Sequence, residues 1–111
     1  MTADALRKAI ADRTANVGII GAGYVGLPLA LSFAKAGYRV KVVDVDAERV
    51  RRLCAGESYI RDVSSEALST QVKAGRFDAT TDYAALSDAN IIFVAVFVKS
   101  SVTKPYVRLS K

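Results

Sequence analysis

The apolar run Val17-Gly18-Ile19-Ile20 leads directly into Gly21-Ala22-Gly23-Tyr24-Val25-Gly26, and a helical pattern begins within that second segment. A short continuous apolar run closed by glycine reads as a strand of a parallel sheet covered on both faces. The pattern G-x-G-x-x-G then demands a tight turn, because three glycines at those intervals remove side chains where the backbone must fold back and pack closely. From Tyr24 to Lys35, Leu27, Leu31 and Ala34 recur on one helical stripe, with Gly37 past the end. Pro28 falls in the first turn of this helix, where its missing N–H costs little. A strand, a glycine turn and a helix in immediate succession commit the chain to an α/β architecture.

The remaining segments extend that architecture. Thr2 to Thr14 reads as a short N-terminal helix, with Leu6 and Ile10 on one side. A second strand runs from Arg39 to Val45, and Asp46 can cap a helix reaching Leu53 with Val50 and Leu53 inward. Gly56 to Val63 reads as a loop, and Ser64 or Ser65 can cap a third helix ending near Gly75. Ser64-Ser65-Glu66-Ala67-Leu68 resembles a capping box only loosely. A short strand at Phe77 to Thr81, a helical turn through Ala84 to Leu86, and a buried strand at Ile91 to Val96 complete the series. Alternating strands and helices predict βαβ units and a Rossmann-like parallel sheet in the order 3-2-1-4, incomplete because its last strands are missing.

The turn carries the chemistry. Directly after a strand and at the start of a helix, Gly21 permits the sharp exit and Gly23 lets backbone approach a pyrophosphate. Gly26 allows the helix to pack against the strand. The first-turn N–H groups and the positive end of the helix dipole then face an anion. Tyr24 and Val25 lie inside the turn and are candidate cofactor contacts, with packing as the alternative for Tyr24. Asp44 ends the second strand 18 residues after Gly26. A carboxylate there accepts hydrogen bonds from the adenosine ribose and repels a 2′-phosphate, which selects NAD over NADP. Arg49 is close enough in sequence to accommodate such a phosphate instead. With Asp44 present, it is assigned to stacking on or bonding to the adenosine.

Charge and cysteine content narrow the class. The 111 residues carry a net charge of +5. Residues 1–96 hold 12 of the 16 Lys and Arg and all 11 Asp and Glu, so the excess sits in Lys99, Lys104, Arg108 and Lys111. The basicity belongs to a tail, 97–111, and no nucleic-acid groove on the folded body is expected. No apolar run reaches the roughly 18 residues of a membrane span, and Met1 to Arg13 lacks a signal-peptide core. The single cysteine, Cys54, cannot form an internal disulfide, which fits a cytoplasmic location. With no histidine in the chain to activate it, Cys54 reads as a small buried hydrophobe rather than a nucleophile.

Gly21-Ala22-Gly23-Tyr24-Val25-Gly26-Leu27-Pro28-Leu29-Ala30 resembles the opening of the UDP-glucose/GDP-mannose dehydrogenase family. Gly56-Glu57-Ser58-Tyr59-Ile60-Arg61-Asp62-Val63, followed by Ala79-Thr80-Thr81-Asp82, resembles its UDP-N-acetylhexosamine branch, such as the UDP-N-acetylglucosamine 6-dehydrogenases. The preceding helix with Leu6 and Ile10 fits that branch too. The resemblance covers about residues 5–96. It implies an NAD-dependent oxidoreductase that converts the C6 hydroxyl of a nucleotide sugar to a carboxylate in two hydride transfers. Gly21, Gly23, Gly26 and Asp44 are implied as cofactor ligands, with Arg49 at a basic position that contacts the adenosine. A cytoplasmic homo-oligomer supplying uronic acids for surface polysaccharide is also implied.

The resemblance has a limit. Family members continue after the last strand with a Pro-Thr-Pro-type turn, where this chain reads Phe97-Val98-Lys99. The family's catalytic cysteine, catalytic lysine and sugar-binding domain lie further along. Residues 1–96 are therefore expected to form a partial NAD-binding domain, followed by a divergent tail and unable to complete the reaction alone. Two other readings stay open: a dehydrogenase of the 3-hydroxyacid or 6-phosphogluconate type, and an NAD-binding module without chemistry.

Overall fold

The computed structural model describes residues 2–95. Val96 and the tail 97–111 lie outside the described residues. Four strands, β1 (Asn16–Ile20), β2 (Arg39–Val43), β3 (Phe77–Thr80) and β4 (Ile91–Val94), form one all-parallel sheet in the order β3-β2-β1-β4. The helices are α1 (Ala3–Ala11), α2 (Gly26–Lys35), α3 (Ala47–Cys54) and α4 (Ser65–Lys73), with a 3-10 helix at Tyr83–Asp88 before β4. The architecture is the Rossmann-like sheet, in the order expected from the pattern.

Alternation along β1 decides how it is covered. Val17 and Ile19 point to one face and join the core cluster with Leu27 and Leu31 of α2, Leu53 of α3 and Leu68 of α4. Gly18 points to the other face, where an added Cβ would come within 2.7 Å of Leu86 Cδ2 in the 3-10 helix. The missing side chain thus lets that helix close on the sheet. All three residues are buried, as a two-sided parallel strand requires.

Local chemistry explains the element ends. Thr2 accepts from the Ala5 N–H at the head of α1, Asp46 from Glu48 and Arg49 in α3, and Ser64 from Ala67 in α4. Glu66 falls one place short of the position that would complete a capping box with Ser64. The ladder of β2 stops at Val43, two residues before the expected end, because Asp44 Oδ1 accepts the Asp46 N–H at 2.8 Å and turns the chain. α2 begins at Gly26 rather than Tyr24, since residues 21–25 are used up in the turn.

Two expectations on burial, for β4 and for Cys54, need correction, and α1 is more exposed than an amphipathic helix usually is. β4 is only half covered, with Ile92 and Val94 47 % and 70 % exposed, because it pairs with β1 on one side only among the described residues. α1 has no buried residue, and Ile10 is 39 % exposed. The helix is tied down by polar contacts instead: Tyr38 Oη donates to the Ile10 carbonyl at 2.8 Å and Arg13 Nε to the Ala36 carbonyl at 2.6 Å. Cys54 is exposed, not buried. One residue on from the inward Leu53 is a rotation of roughly 100° around a helix, so Cys54 turns away from the core. Its thiol lies 3.3 Å from the Ala79 carbonyl oxygen, to which it donates.

No helix among the described residues is long and apolar enough to cross a membrane.

Candidate cofactor site

The strands point their carboxyl ends the same way, so the turn after β1 and the residue after β2 arrive side by side. In open α/β sheets this is the end where ligands bind. Gly21 leaves β1 with φ +102°, a conformation that favours glycine, and its N–H donates to the Val43 carbonyl at 2.8 Å. At Gly26 the requirement is space: a Cβ would overlap the Gly21 carbonyl oxygen. The α2 helix therefore starts against the turn at a distance that no other residue permits.

Gly23 differs from both. A Cβ built there finds no neighbour within 4 Å, so folding alone does not demand glycine at this position. The side facing it is open. α2 is also the one α-helix of the described residues with no side-chain hydrogen bond at its N-cap, which is Val25. An open glycine beside an uncapped helix start suits an anion held by backbone N–H groups.

Asp44 is buried, and both oxygens are engaged. Oδ2 accepts the Ala22 N–H at 2.8 Å and Oδ1 the Asp46 N–H at 2.8 Å. A carboxylate has about four acceptor positions, so two remain for ligand hydroxyls. Arg49, half exposed on α3, places Nη1 3.7 Å from Asp44 Oδ2 and Nε 3.7 Å from Asp46 Oδ2. The structure thus brings Gly21, Gly23, Asp44 and Arg49 to one cleft of about 240 Å3, with Val45, Tyr83 and Ala95 also on its wall. Tyr24 and Val25 are 77 % and 68 % exposed in the turn and do not line that cleft. Gly26 supports it from beneath.

A larger cleft of about 310 Å3 lies at the opposite end of the strands, beside Asn16, Arg39, Lys41, Asp78 and Asp88. It contains none of the candidate residues and sits at the amino ends of β1 and β2, the wrong end of a parallel sheet for a nucleotide.

Two aromatic residues escaped the sequence reading. Tyr83 reaches the cleft from the 3-10 helix. Tyr59 reaches the turn from the Gly56–Val63 loop: its hydroxyl donates to the Ala22 carbonyl at 2.7 Å, and the guanidinium carbons of Arg49 and Arg52 lie 5.5 and 5.6 Å from its ring centre. Burial, the largest influence, pushes the Tyr59 hydroxyl up to about 12 against the pull of Arg49 and Arg52. Tyr59 stands in a segment of the family resemblance without a role at the site, and Tyr83 carries no signal, since each is brought to the site by long-range packing.

Comparison with known proteins identifies the family. The family model described as the UDP-glucose/GDP-mannose dehydrogenase family, NAD binding domain, matches residues 15–102. A UDP-glucose 6-dehydrogenase of Pseudomonas aeruginosa is 45 % identical over 80 residues, covering 70 % of this chain and 18 % of its own. A UDP-N-acetyl-D-mannosamine dehydrogenase of Pyrococcus horikoshii is 27 % identical over 82 residues, 73 % of this chain and 20 % of its own. The crystal structure of a GDP-mannose dehydrogenase ternary complex from Pseudomonas aeruginosa superposes with a TM-score of 0.70 at 31 % identity, over 76 % of this chain and 20 % of that one. The chain spans about a fifth of the length of these relatives. It belongs to the UDP-glucose/GDP-mannose dehydrogenase family and carries that family's NAD-binding domain.

Proposed function

We propose that the chain binds NAD through the Gly21–Gly26 turn and Asp44, as the cofactor portion of a nucleotide-sugar 6-dehydrogenase. The observation that carries this reading is the buried Asp44 carboxylate hydrogen-bonded to the second residue of the turn. One residue pair thereby sets the distance between a pyrophosphate site and a ribose site. Gly23 leaves room for the phosphates, the start of α2 faces them, and the free acceptor positions of Asp44 take ribose hydroxyls. Tyr24 and Val25 flank the same turn on its solvent side and are assigned as contacts to the cofactor's outer face. Arg49 leaves Asp44 on binding and stacks on the adenosine. Bound NAD would supply the hydride acceptor.

In the parent enzyme, C6 of a UDP-sugar would pass two hydrides in succession to two NAD. The hydroxyl proton would be released in the first step, and water would add before the second to leave the carboxylate. The Gly56–Val63 loop favours a UDP-N-acetylhexosamine as that sugar. UDP-glucose is the second reading, favoured by the 45 % identical relative. A cytoplasmic homo-oligomer serving polysaccharide synthesis follows from the same reading. Titration calorimetry of the chain with NAD and NADP tests the core of the proposal. NAD binding with NADP at least tenfold weaker is the expected result, since a 2′-phosphate would meet Asp44. Equal or tighter NADP binding would overturn the role of Asp44 and promote Arg49.

A further inference from the structure

Ala22 is gripped from both sides of its backbone. Its N–H donates to Asp44 Oδ2 at 2.8 Å, and its carbonyl accepts from Tyr59 Oη at 2.7 Å. Its methyl group is fully buried. Two distant segments thus meet on the middle residue of Gly21-Ala22-Gly23. The Tyr59 ring does a second task by lying beneath the guanidinium of Arg49, whose Nη1 and Nε face Asp44 and Asp46.

We propose that Tyr59 is a positioning residue of the dinucleotide site: its hydroxyl holds the Ala22 peptide so that the turn presents Gly23 to the pyrophosphate, and its ring carries Arg49 beside the ribose end. This rests on the NAD reading above. The division of labour has a physical reason. Asp44 must share its oxygens with ribose hydroxyls once ligand arrives, so an anchor on the opposite face of Ala22 keeps the turn in place when that happens. Preorganised donors bind more tightly because less ordering remains to be done on association. Tyr59 remains protonated far above neutral pH, so the hydroxyl is a donor wherever the protein is handled.

The loop does not depend on this hydroxyl for its own conformation. Ile60 and Val63 are buried, and the Ser58 N–H donates to Ser65 Oγ at 2.9 Å. Removing one oxygen atom from Tyr59 therefore tests positioning rather than folding. In the 111-residue chain, Tyr59→Phe and Tyr59→Leu are to be compared with the unaltered protein. Calorimetry with NAD and amide hydrogen exchange of residues 21–26 without ligand are the two readouts. Tyr59→Phe should bind NAD about tenfold more weakly, the scale of one lost hydrogen bond, and should speed exchange in the turn while β1 and β2 stay protected. Tyr59→Leu should weaken NAD further, because Arg49 loses its ring. Exchange in the turn unchanged by Tyr59→Phe, or undiminished affinity in that variant, would overturn the proposal. Because exchange is read without ligand, failure of the unaltered chain to bind NAD would strike the cofactor reading, and exchange alone would then decide whether Tyr59 orders the turn.

Discussion

Asp44 Oδ2 accepts the backbone N–H of Ala22 at 2.8 Å across 22 residues of sequence. The bond ties the end of β2 to the first turn after β1, so the carboxylate proposed to bind ribose is also part of the scaffold. Asp44→Ala would leave the Ala22 and Asp46 N–H groups without their acceptor. Removing an acceptor from buried donors costs about 1–3 kcal/mol, and urea unfolding should show a loss in that range. The variant should also lose its preference for NAD over NADP, which parallel calorimetric titrations would check.

The glycines of the turn should separate into two classes. Gly23→Val places a side chain in open space, so the melting temperature should hold while NAD binding is lost. Gly26→Ala drives a methyl group into the Gly21 carbonyl and should destabilise the fold by about 1–3 kcal/mol or more. A Gly23→Val protein that still binds NAD would show that the ligand does not use this turn.

Tyr59 should give the chain a pH signature. Burial raises its folded-state pKa from 10.0 to about 12. The folded chain holds that proton more tightly than the unfolded chain, so the contribution is complete below the unfolded value and is lost as pH rises through the folded one. The stability advantage of the unaltered protein over Tyr59→Phe should be constant from neutral pH to about 10 and should shrink between about 10 and 12. Melting both proteins across that range, with all other groups in common, isolates the effect.

The side of β4 that no described strand pairs with should govern self-association. Val94 points outward, whereas Phe93 stacks on Phe33 with ring centres 5.3 Å apart. Exposed apolar edge strands pair with other chains. Val94→Lys should therefore improve solubility, and Phe93→Lys should destabilise the domain. Sedimentation of the unaltered chain as a non-associating monomer at tens of micromolar, roughly the range in which exposed edges aggregate, would count against this.

Catalysis provides the last test. With NAD and UDP-glucose, UDP-N-acetylglucosamine or UDP-N-acetylmannosamine, the chain by itself is expected to generate no NADH above background. Turnover measured by absorbance would contradict the placement of the catalytic groups outside these residues and would return attention to Cys54, which is exposed beside the Ala79 carbonyl.

Local signals were enough for everything built from neighbouring residues. The strand–glycine–helix unit and the caps at Asp46 and Ser64 are written at short range. Short-range rules operate through backbone sterics and hydrogen bonds a few residues apart, and these act alike in any fold. The parallel order also followed, because crossover connections leave few choices. Only the tertiary structure decided what depends on which surfaces meet. The thin cover over α1 and, among the described residues, the open face of β4 follow from where neighbouring elements stop. Tyr59 is the clearest case: its spacing from Ala22 has no period, and its hydroxyl reaches the turn from a loop whose Ile60 and Val63 are buried.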